Sequence, residues 1–320
     1  MRLTRRGLQV ALGLIWLLDA LLQFQPAMFT RSFPDQVLRP VAQGNPAWVA
    51  DPVTWAATLI SQHVVLANAA FAAAQLVIAL AILWRPTTGL GLALSVPWAL
   101  AVWWLGEGLG GVLTSAPSAV AGAPGAVILY GLLAVLLWPV PDGPHGGSLA
   151  AASPLGPVVA RLVWVLLWGS LVYDTLLAPS RAGLAALVSG QGAGEPGWLA
   201  AIDRSAGHQL GAHDAAVSAA LAVAFAVIAV AVFIPAACRP VLAVAIALAL
   251  GIWLVGENLG DVFTGQGTDP NTGPLLILLA LAYWPRRPLE RPLPAAGGRP
   301  PALALPVRRL GHPGAGRGGG

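Results

Sequence analysis

The sequence has 320 residues, of which 57% are hydrophobic and only 9% are charged. Soluble globular domains carry about a quarter charged residues, so this composition excludes an ordinary soluble protein. The formal net charge is +4, and all 17 cationic side chains are arginine. Because these arginines flank apolar runs, we interpret them as signals of membrane topology and expect no nucleic-acid partner.

Eight apolar runs predict helices that cross a bilayer, for which about 20 residues are needed. The first run follows Arg2, Arg5 and Arg6 as in a signal peptide, but it contains Asp19 and lacks a small-residue cleavage site. We therefore predict an all-α integral membrane protein whose first helix is uncleaved. The eight predicted transmembrane helices cover residues 8–24, 58–84, 88–109, 124–140, 159–178, 213–236, 241–258 and 272–285.

The arginine distribution predicts the orientation of these helices through the positive-inside rule. With the N-terminus in the cytoplasm, every arginine except Arg31, Arg39, Arg181 and Arg204 falls on the cytoplasmic side. An even number of spans then places both termini in the cytoplasm. The chain lacks lysine and is rich in Ala, Gly and Pro, which is typical of a GC-rich bacterial genome. We predict a multi-pass protein of the bacterial inner membrane, with the lipid bilayer as its first partner.

The two halves of the chain repeat one pattern at an offset of 150 residues. Residues 103–114 match residues 253–264, and His63 matches His213. The first helices of the two halves show no evident register. We predict two four-helix repeats that are parallel, because four spans return the chain to the side from which it started.

The predicted organisation has four parts. The first repeat covers residues 1–140, a cytoplasmic linker covers 141–158, and the second repeat covers 159–285. The remaining residues, 286–320, are rich in Pro, Gly and Arg. Such a segment buries too little apolar surface to order itself, so we predict a disordered basic tail in the cytoplasm.

Besides Asp214 at the start of the sixth span, four acidic residues lie inside the predicted spans: Asp19, Glu107, Asp174 and Glu257. An ionised carboxylate inside a bilayer is costly, so these residues indicate a functional site unless water reaches them at a helix end. Glu107 and Glu257 recur in both halves with the same flanking residues. This recurrence favours a role for the two glutamates.

A histidine lies at the same predicted membrane depth as each of these glutamates. His63 and Glu107 both fall near the outer face when residues are counted at about 1.5 Å each, and so do His213 and Glu257. We predict that each histidine approaches the glutamate of its own half. Such a pair could carry protons, bind a metal or hold a polar ligand, or it could be a structural hydrogen bond between helices.

Tryptophans and glycines accompany each glutamate. Trp103 and Trp253 lie four residues before the glutamates, so each indole either covers the carboxylate or anchors its helix in the membrane interface. Glycines at 106 and 110, and at 256 and 260, form the small-residue pattern of closely packed helices. The four residues of this pattern are Gly106, Gly110, Gly256 and Gly260.

Some polar residues occur in one half only. Asn68 is an accessory candidate for the site, whereas Ser218 occupies its position in the second half; similarly, Gln75 is matched by Phe225. The two halves have therefore diverged. Divergence of this kind is compatible with one half keeping a ligand that the other has lost.

Three stretches resemble the DoxX-like membrane proteins: residues 6–13, which look like that family's Arg-x-x-x-Gly opening, residues 19–23, and the leucine-rich run after Gln75 at 75–83. The resemblance covers about half of one four-helix unit. It implies a membrane subunit associated with respiration or redox chemistry near a quinone, and it transfers no catalytic residue. The tandem arrangement and the long outer loops depart from the family pattern.

Three functions are consistent with these observations. The first is a membrane protein with an outward-facing His/Glu site in each half that binds or moves a small solute. The second is a quinone-, haem- or metal-linked redox subunit, in which His63 and His213 could ligate one haem between the halves. The third is a non-catalytic scaffold for another membrane protein. The sequence leaves the cofactor, the substrate and enzymatic activity undetermined.

Overall fold

The computed structural model describes residues 3–114, 117–140, 150–177, 183–191 and 194–285, and within these ranges the regular elements are all helices. Five of these helices are long and apolar enough to cross a membrane. The described part of the chain therefore has the architecture of a multi-pass membrane protein. Residues 141–149 of the predicted linker and the predicted tail at 286–320 lie outside the described residues.

The helices are numbered in chain order within two halves, residues 3–140 and residues 150–285. The first half contains α1 (Arg5–Leu22), α2 (Ala47–Gln62), α3 (Val64–Leu83), α4 (Thr88–Leu105) and α5 (Ala126–Leu136). The second half contains α6 (Ala152–Leu177), α7 (Gly183–Gln191), α8 (Gly197–Gly211), α9 (Asp214–Ala231), α10 (Cys238–Gly251) and α11 (Thr272–Ala282). A π-helical segment, Ile252–Gly256, continues α10.

The first helix is fixed beside α3 by contacts at both of its ends. Near its start, Arg6 donates hydrogen bonds to the carbonyls of Ile82 and Leu83 in the last turn of α3. The last carbonyls of a helix have no partner within it, so this arginine satisfies two of them. Near its end, the carbonyl of Gln23 accepts a hydrogen bond of 2.7 Å from Nδ2 of Asn68. The antiparallel packing thus places Asp19 and Gln23 beside the first turns of α3.

The predicted helix at 58–84 is two helices in the structure. α2 ends at Gln62 and α3 begins at Val64, with a break at His63, whose φ of −140° and ψ of 50° are not helical. The two helices have 16 and 20 residues, so a continuous helix would measure about 54 Å, far more than the hydrocarbon core of about 30 Å. The break separates a span, α3, from a segment that packs over its end. His213 occupies the same kind of break between α8 and α9.

The last helix of each half is short and buried. α5 and α11 have 11 residues each, fewer than the predicted 124–140 and 272–285, and eight residues of each are buried. The two helices pack against each other, while α5 also contacts α6 and α11 contacts α1. They therefore lie where the two halves meet, surrounded by protein rather than by lipid.

The structure supplies the register that the sequence does not reveal for the first helix of each half. α6 has a non-helical kink at Gly156, so its continuous part begins close to the predicted residue 159. The buried positions of α1 recur in α6 at an offset of 155 rather than 150. Buried residues of α1 include Gln9, Leu12, Gly13, Trp16 and Asp19, and those of α6 include Trp164, Leu167, Trp168, Leu171 and Asp174.

Candidate functional site

Glu107 caps the first turn of α5. Its two carboxylate oxygens accept hydrogen bonds of 3.1 and 3.3 Å from the N–H of Val127. The indole N–H of Trp103 donates a bond of 2.7 Å to the carbonyl of Pro124, just before the same helix. A carboxylate is stabilised at a helix N-terminus by the unpaired N–H groups and the helix dipole. We call this arrangement of Trp103, Glu107 and the start of α5 the first clasp.

The same arrangement holds the start of α11, and we call it the second clasp. Glu257 accepts a hydrogen bond of 2.9 Å from the N–H of Gly273 and another from the hydroxyl of Thr272. The indole of Trp253 donates a bond of 2.7 Å to the carbonyl of Pro270. The indoles therefore bind the following loop, and neither is a simple interfacial anchor.

A left-handed turn brings each glutamate to the helix that it caps. Residues 108–111 all have positive φ, and so do residues 258–261, where Asn258 and Asp261 replace glycines of the first half. A Cβ on Gly110 would lie 1.9 Å from the oxygen of Pro124, and one on Gly260 would lie 2.4 Å from the carbonyl carbon of Pro270. These two glycines therefore allow a turn to pack closely against a loop, and they do not form the predicted packing between helix faces.

The other two glycines of the pattern differ from each other. A Cβ on Gly106 would meet the carbonyl oxygen of Val102, one turn earlier in its own chain, at 2.9 Å. A Cβ on Gly256 would lie 2.2 Å from the carbonyl oxygen of Val120, which belongs to the first half. Close packing is thus found at Gly256, but its partner is a loop of the other half.

The predicted His–Glu pairs are not formed in the described structure. No hydrogen bond or ion pair joins His63 to Glu107 or His213 to Glu257 among the described residues. Both histidines are exposed at the helix breaks, whereas the glutamates turn inward to backbone N–H groups. An equal membrane depth did not suffice to predict the pairs, because depth does not fix the direction in which a side chain points around its helix. Two exposed histidines also give no support to a haem held between the halves.

A cavity of about 300 Å³ lies in the first half, beside the first clasp. It is bounded by α1, α2, α3, α4 and the start of α5. Its polar lining consists of Asp19, Gln23, Gln75, Glu107, Thr268 and Asp269. The site therefore contains two of the four acids predicted inside the spans, Asp19 and Glu107, together with residues that the sequence analysis did not assign to it.

Three residues that line the cavity each carry a buried polar atom without a hydrogen-bond partner among the described residues. These atoms are Oε1 of Gln23, Oε1 of Gln75 and Nε1 of Trp16. Their residues are 4%, 8% and 1% exposed. A buried polar group without a partner costs about 1–3 kcal/mol. Three such groups on one cavity indicate a place that is incomplete without a polar occupant.

Asp19, which lines the cavity, has its hydrogen-bond partner on α5. Its Oδ1 accepts a hydrogen bond of 2.7 Å from the hydroxyl of Tyr130 on α5, and the ring of Tyr130 lies 4.5 Å from that of Trp16. The two aromatic residues thus hold the carboxylate at the cavity wall. Asp174, the counterpart of Asp19 in α6, is 1% exposed and its Oδ2 has no partner.

The second half supplies one edge of the cavity. Thr268 and Asp269 lie in the loop before α11 and line the cavity of the first half. The same loop contacts the first half where Gln266 donates to Gln36 at 3.4 Å. Burial raises the pKa of Asp269. The cavity therefore needs both halves, although its other polar residues belong to the first.

Apolar side chains occupy the equivalent region of the second half. Phe225 stands at the position of Gln75 and is fully buried, with its ring 5.8 Å from that of Trp168. Trp168 stands at the position of Gly13 in α1. From the first half, Val120 packs against Leu184 and Val188 in one buried cluster. The second half has the clasp and a buried carboxylate at Asp174, but a phenylalanine stands in place of Gln75.

Sequence reasoning found some of this site and missed the rest. Divergence between the halves at Gln75 was a usable signal, since a polar residue opposite a phenylalanine marks a difference in function. Asn68 has a structural role instead, because it is fully buried and binds the carbonyl of Gln23. Tyr130 and Asp269 could not be found, because each reaches the cavity from an element distant in the chain.

Comparison with protein-family models, with curated proteins and with solved structures finds no match to this chain. The DoxX-like resemblance therefore stays a prediction, and the function is argued from the site alone.

Proposed function

We propose that the protein is a multi-pass bacterial inner-membrane protein in which two parallel four-helix repeats cross the bilayer eight times. Both termini lie in the cytoplasm, and the cavity faces the outer side. The repeat is supported by the two clasps, by the two histidine breaks and by the matching burial of α1 and α6. The orientation is supported by the arginine distribution.

Within this architecture, the first half binds a small solute in the cavity beside Glu107. One observation carries the proposal: a 300 Å³ space is lined by three acidic residues, by apolar side chains and by three residues that each carry an unpartnered buried polar atom. Ligand pockets are mostly apolar, hold a few convergent polar groups and begin at about 300 Å³. A scaffold would gain stability by filling this space, as the second half does with Phe225 and Trp168.

The redox alternative has less support from the residues of this chain. The described residues contain no group of three or more His, Cys, Asp or Glu that could hold a metal ion. The DoxX-like resemblance remains the basis for a quinone as the neutral alternative ligand. The cavity's indole and amide groups could also bind a neutral carbonyl compound, so a neutral probe is needed beside a charged one.

Cysteine labelling tests the proposed site and its side of the membrane. The variant Gln75→Cys is made in a Cys238→Ala background and treated in intact cells with membrane-impermeant methanethiosulfonate reagents. Val77→Cys is the control, because Val77 is 56% exposed on the same helix and faces lipid in the proposed architecture, where a thiol ionises poorly. We expect Gln75→Cys to react from outside the inner membrane and Val77→Cys to stay unlabelled.

Two results would contradict this proposal. A Gln75→Cys protein that reacts from neither side would show that the cavity does not admit solutes, which favours a scaffold. A protein that reacts only in inverted vesicles would reverse the proposed orientation while leaving the site in place.

A further inference from the structure

We propose that the ligand of this cavity is a small organic cation with an apolar body, bound among Asp19, Glu107 and Asp269. This inference rests on the proposed function and adds the charge class of the solute. It follows from the balance of charge on the cavity wall, from the nature of the partners of each carboxylate and from the aromatic lining.

The charge on the cavity wall is unbalanced. Among the residues that the structure describes, Asp19, Glu107 and Asp269 line the cavity, while no Arg or His does so. Within the described residues, the ion pair that is formed joins Arg39 and Asp35, both exposed and outside this lining. A cation that enters this low-dielectric space would stabilise the ionised form of the three acids. A cation between them would also relieve their mutual repulsion.

Each of the three carboxylates is held by neutral donors only. Asp19 is bound by the phenol of Tyr130, and Glu107 by the N–H of Val127. Asp269 accepts from the N–H of Asn271 at 2.7 Å and from the hydroxyl of Thr268 at 3.0 Å. Neutral donors orient a carboxylate and stabilise it, but they do not neutralise its charge. The carboxylates are therefore positioned while a counter-charge is still needed.

The remaining wall combines aliphatic and aromatic side chains. Five rings line the cavity, and two of their contacts are edge-to-face, between Phe33 and Phe71 at 6.3 Å and between Phe71 and Trp98 at 6.0 Å. Aromatic faces attract cations, tryptophan most strongly. The five lining aromatic residues are Trp16, Phe33, Trp55, Phe71 and Trp98. An anionic solute would be repelled by this wall and by the carboxylates.

The test compares two probes that share one shape and differ in charge. Phenyltrimethylammonium is a cation, and tert-butylbenzene is its neutral isostere with carbon in place of nitrogen. Binding of each radiolabelled probe is measured by equilibrium dialysis against the full-length protein in lipid nanodiscs. Gln75→Phe introduces the residue that the second half has at this position, and the binding that remains in this variant is binding outside the cavity. Val77→Phe is the matched control, because it adds the same ring to the exposed side of the same helix.

We expect the cation to bind wild type and Val77→Phe, and to lose this binding in Gln75→Phe. Asp19→Asn should raise the Kd of the cation by about tenfold, a change of about 1.4 kcal/mol in binding free energy. The substitution keeps the oxygen that accepts from Tyr130. Asp269→Asn should act in the same direction. Thermal unfolding of each variant verifies that the protein is folded.

The outcomes separate this inference from the proposed function. If the neutral isostere binds as well as the cation, and Gln75→Phe abolishes both, the cavity is a binding site but the cationic class is wrong. If neither probe binds, the cationic class is also wrong, and cysteine labelling at residue 75 decides the proposed function independently. Unchanged cation affinity in Asp19→Asn and Asp269→Asn would likewise overturn the inference.

Discussion

The two halves of this protein share one structural device and differ in one cavity. The clasps of Glu107 and Glu257 make the same contacts with the helices that follow them, down to the 2.7 Å indole bonds. Beside the first clasp lies an open polar cavity, whereas the second clasp adjoins buried Phe225 and Trp168. The features that recur in both halves therefore stabilise the fold, whereas the residues that differ between the halves distinguish the cavity of the first half.

The clearest way to break this comparison is to disturb the turns that carry the clasps. We expect Gly110→Ala and Gly260→Ala to destabilise the protein by about 4 kcal/mol or more, because each new Cβ would overlap backbone atoms at a left-handed position. The measurement is unfolding in mixed micelles of increasing denaturing-detergent fraction. Gly169→Ala is the control, since nothing lies within 4 Å of its added Cβ; equal stability of all three variants would refute the packing argument.

Exchanging one residue between the halves tests whether the cavity is confined to the first. Phe225→Gln should cost about 3 kcal/mol, because it removes a buried ring and places an amide beside Trp168. Gln75→Phe should change stability by less than about 1 kcal/mol, since the ring enters existing space. Unfolding of both variants under the same conditions gives the difference. Equal costs at the two positions would show that the two sites are packed alike.

Removing the clasp carboxylates tests whether they serve the fold in both halves. Glu107→Ala and Glu257→Ala should each cost about 2–3 kcal/mol, because charged hydrogen bonds to buried N–H groups are lost. Glutamine at either position keeps an acceptor and should cost less. A loss of ligand binding in Glu107→Ala with no loss of stability in either variant would assign these glutamates to function alone.

The smallest expected effect is on the pH dependence of stability, through Glu195 in the segment before α8. Burial and the neighbouring carboxylate of Asp261 raise the pKa of Glu195 from 4.5 to about 7, with Asp203 adding to the repulsion. The first half has Asn45 in the matching place, where its Nδ2 binds the carbonyl of Val41. A raised pKa means that the folded state binds the proton more tightly than the unfolded state. The contribution of Glu195 to stability is therefore full below about pH 4.5 and is lost as the pH rises through about 7.

Glu195→Gln removes this titration. We expect the variant to gain a few degrees of apparent Tm over wild type at pH 8 and to match it near pH 4.5. Thermal unfolding followed at both pH values gives the comparison. A gain of equal size at both values would point to packing, not to the charge of Glu195.

Much of the fold could be predicted from the sequence because apolar length is a strong signal. The predicted spans around α3, α4, α6, α9 and α10 are confirmed as helices long and apolar enough for a membrane. The break at His63 was not predicted, because the predicted span began at residue 58, whereas the predicted start at residue 213 agrees with the start of α9 at Asp214. The register of α1 against α6 was hidden because its offset of 155 differs from the offset of 150 elsewhere.

The site was harder to predict than the fold. Asp19 and Glu107 were identified, because a carboxylate in an apolar run is conspicuous. Their partners are a phenol on α5 and backbone N–H groups at its start, and neither leaves a signal in the spacing of charged residues. Asp269 reaches the cavity from the other half, which only the tertiary packing of α5 and α11 brings about.

One paired measurement tests the central claim, that the first half holds an accessible cavity and the second half does not. Gln75→Cys and Phe225→Cys, each in the Cys238→Ala background, are treated with the same impermeant thiol reagent and their labelling rates are compared. The account predicts rapid labelling at residue 75 and negligible labelling at residue 225, because Phe225 is fully buried among apolar side chains. Equal rates at the two positions, or labelling at residue 225 alone, would contradict it.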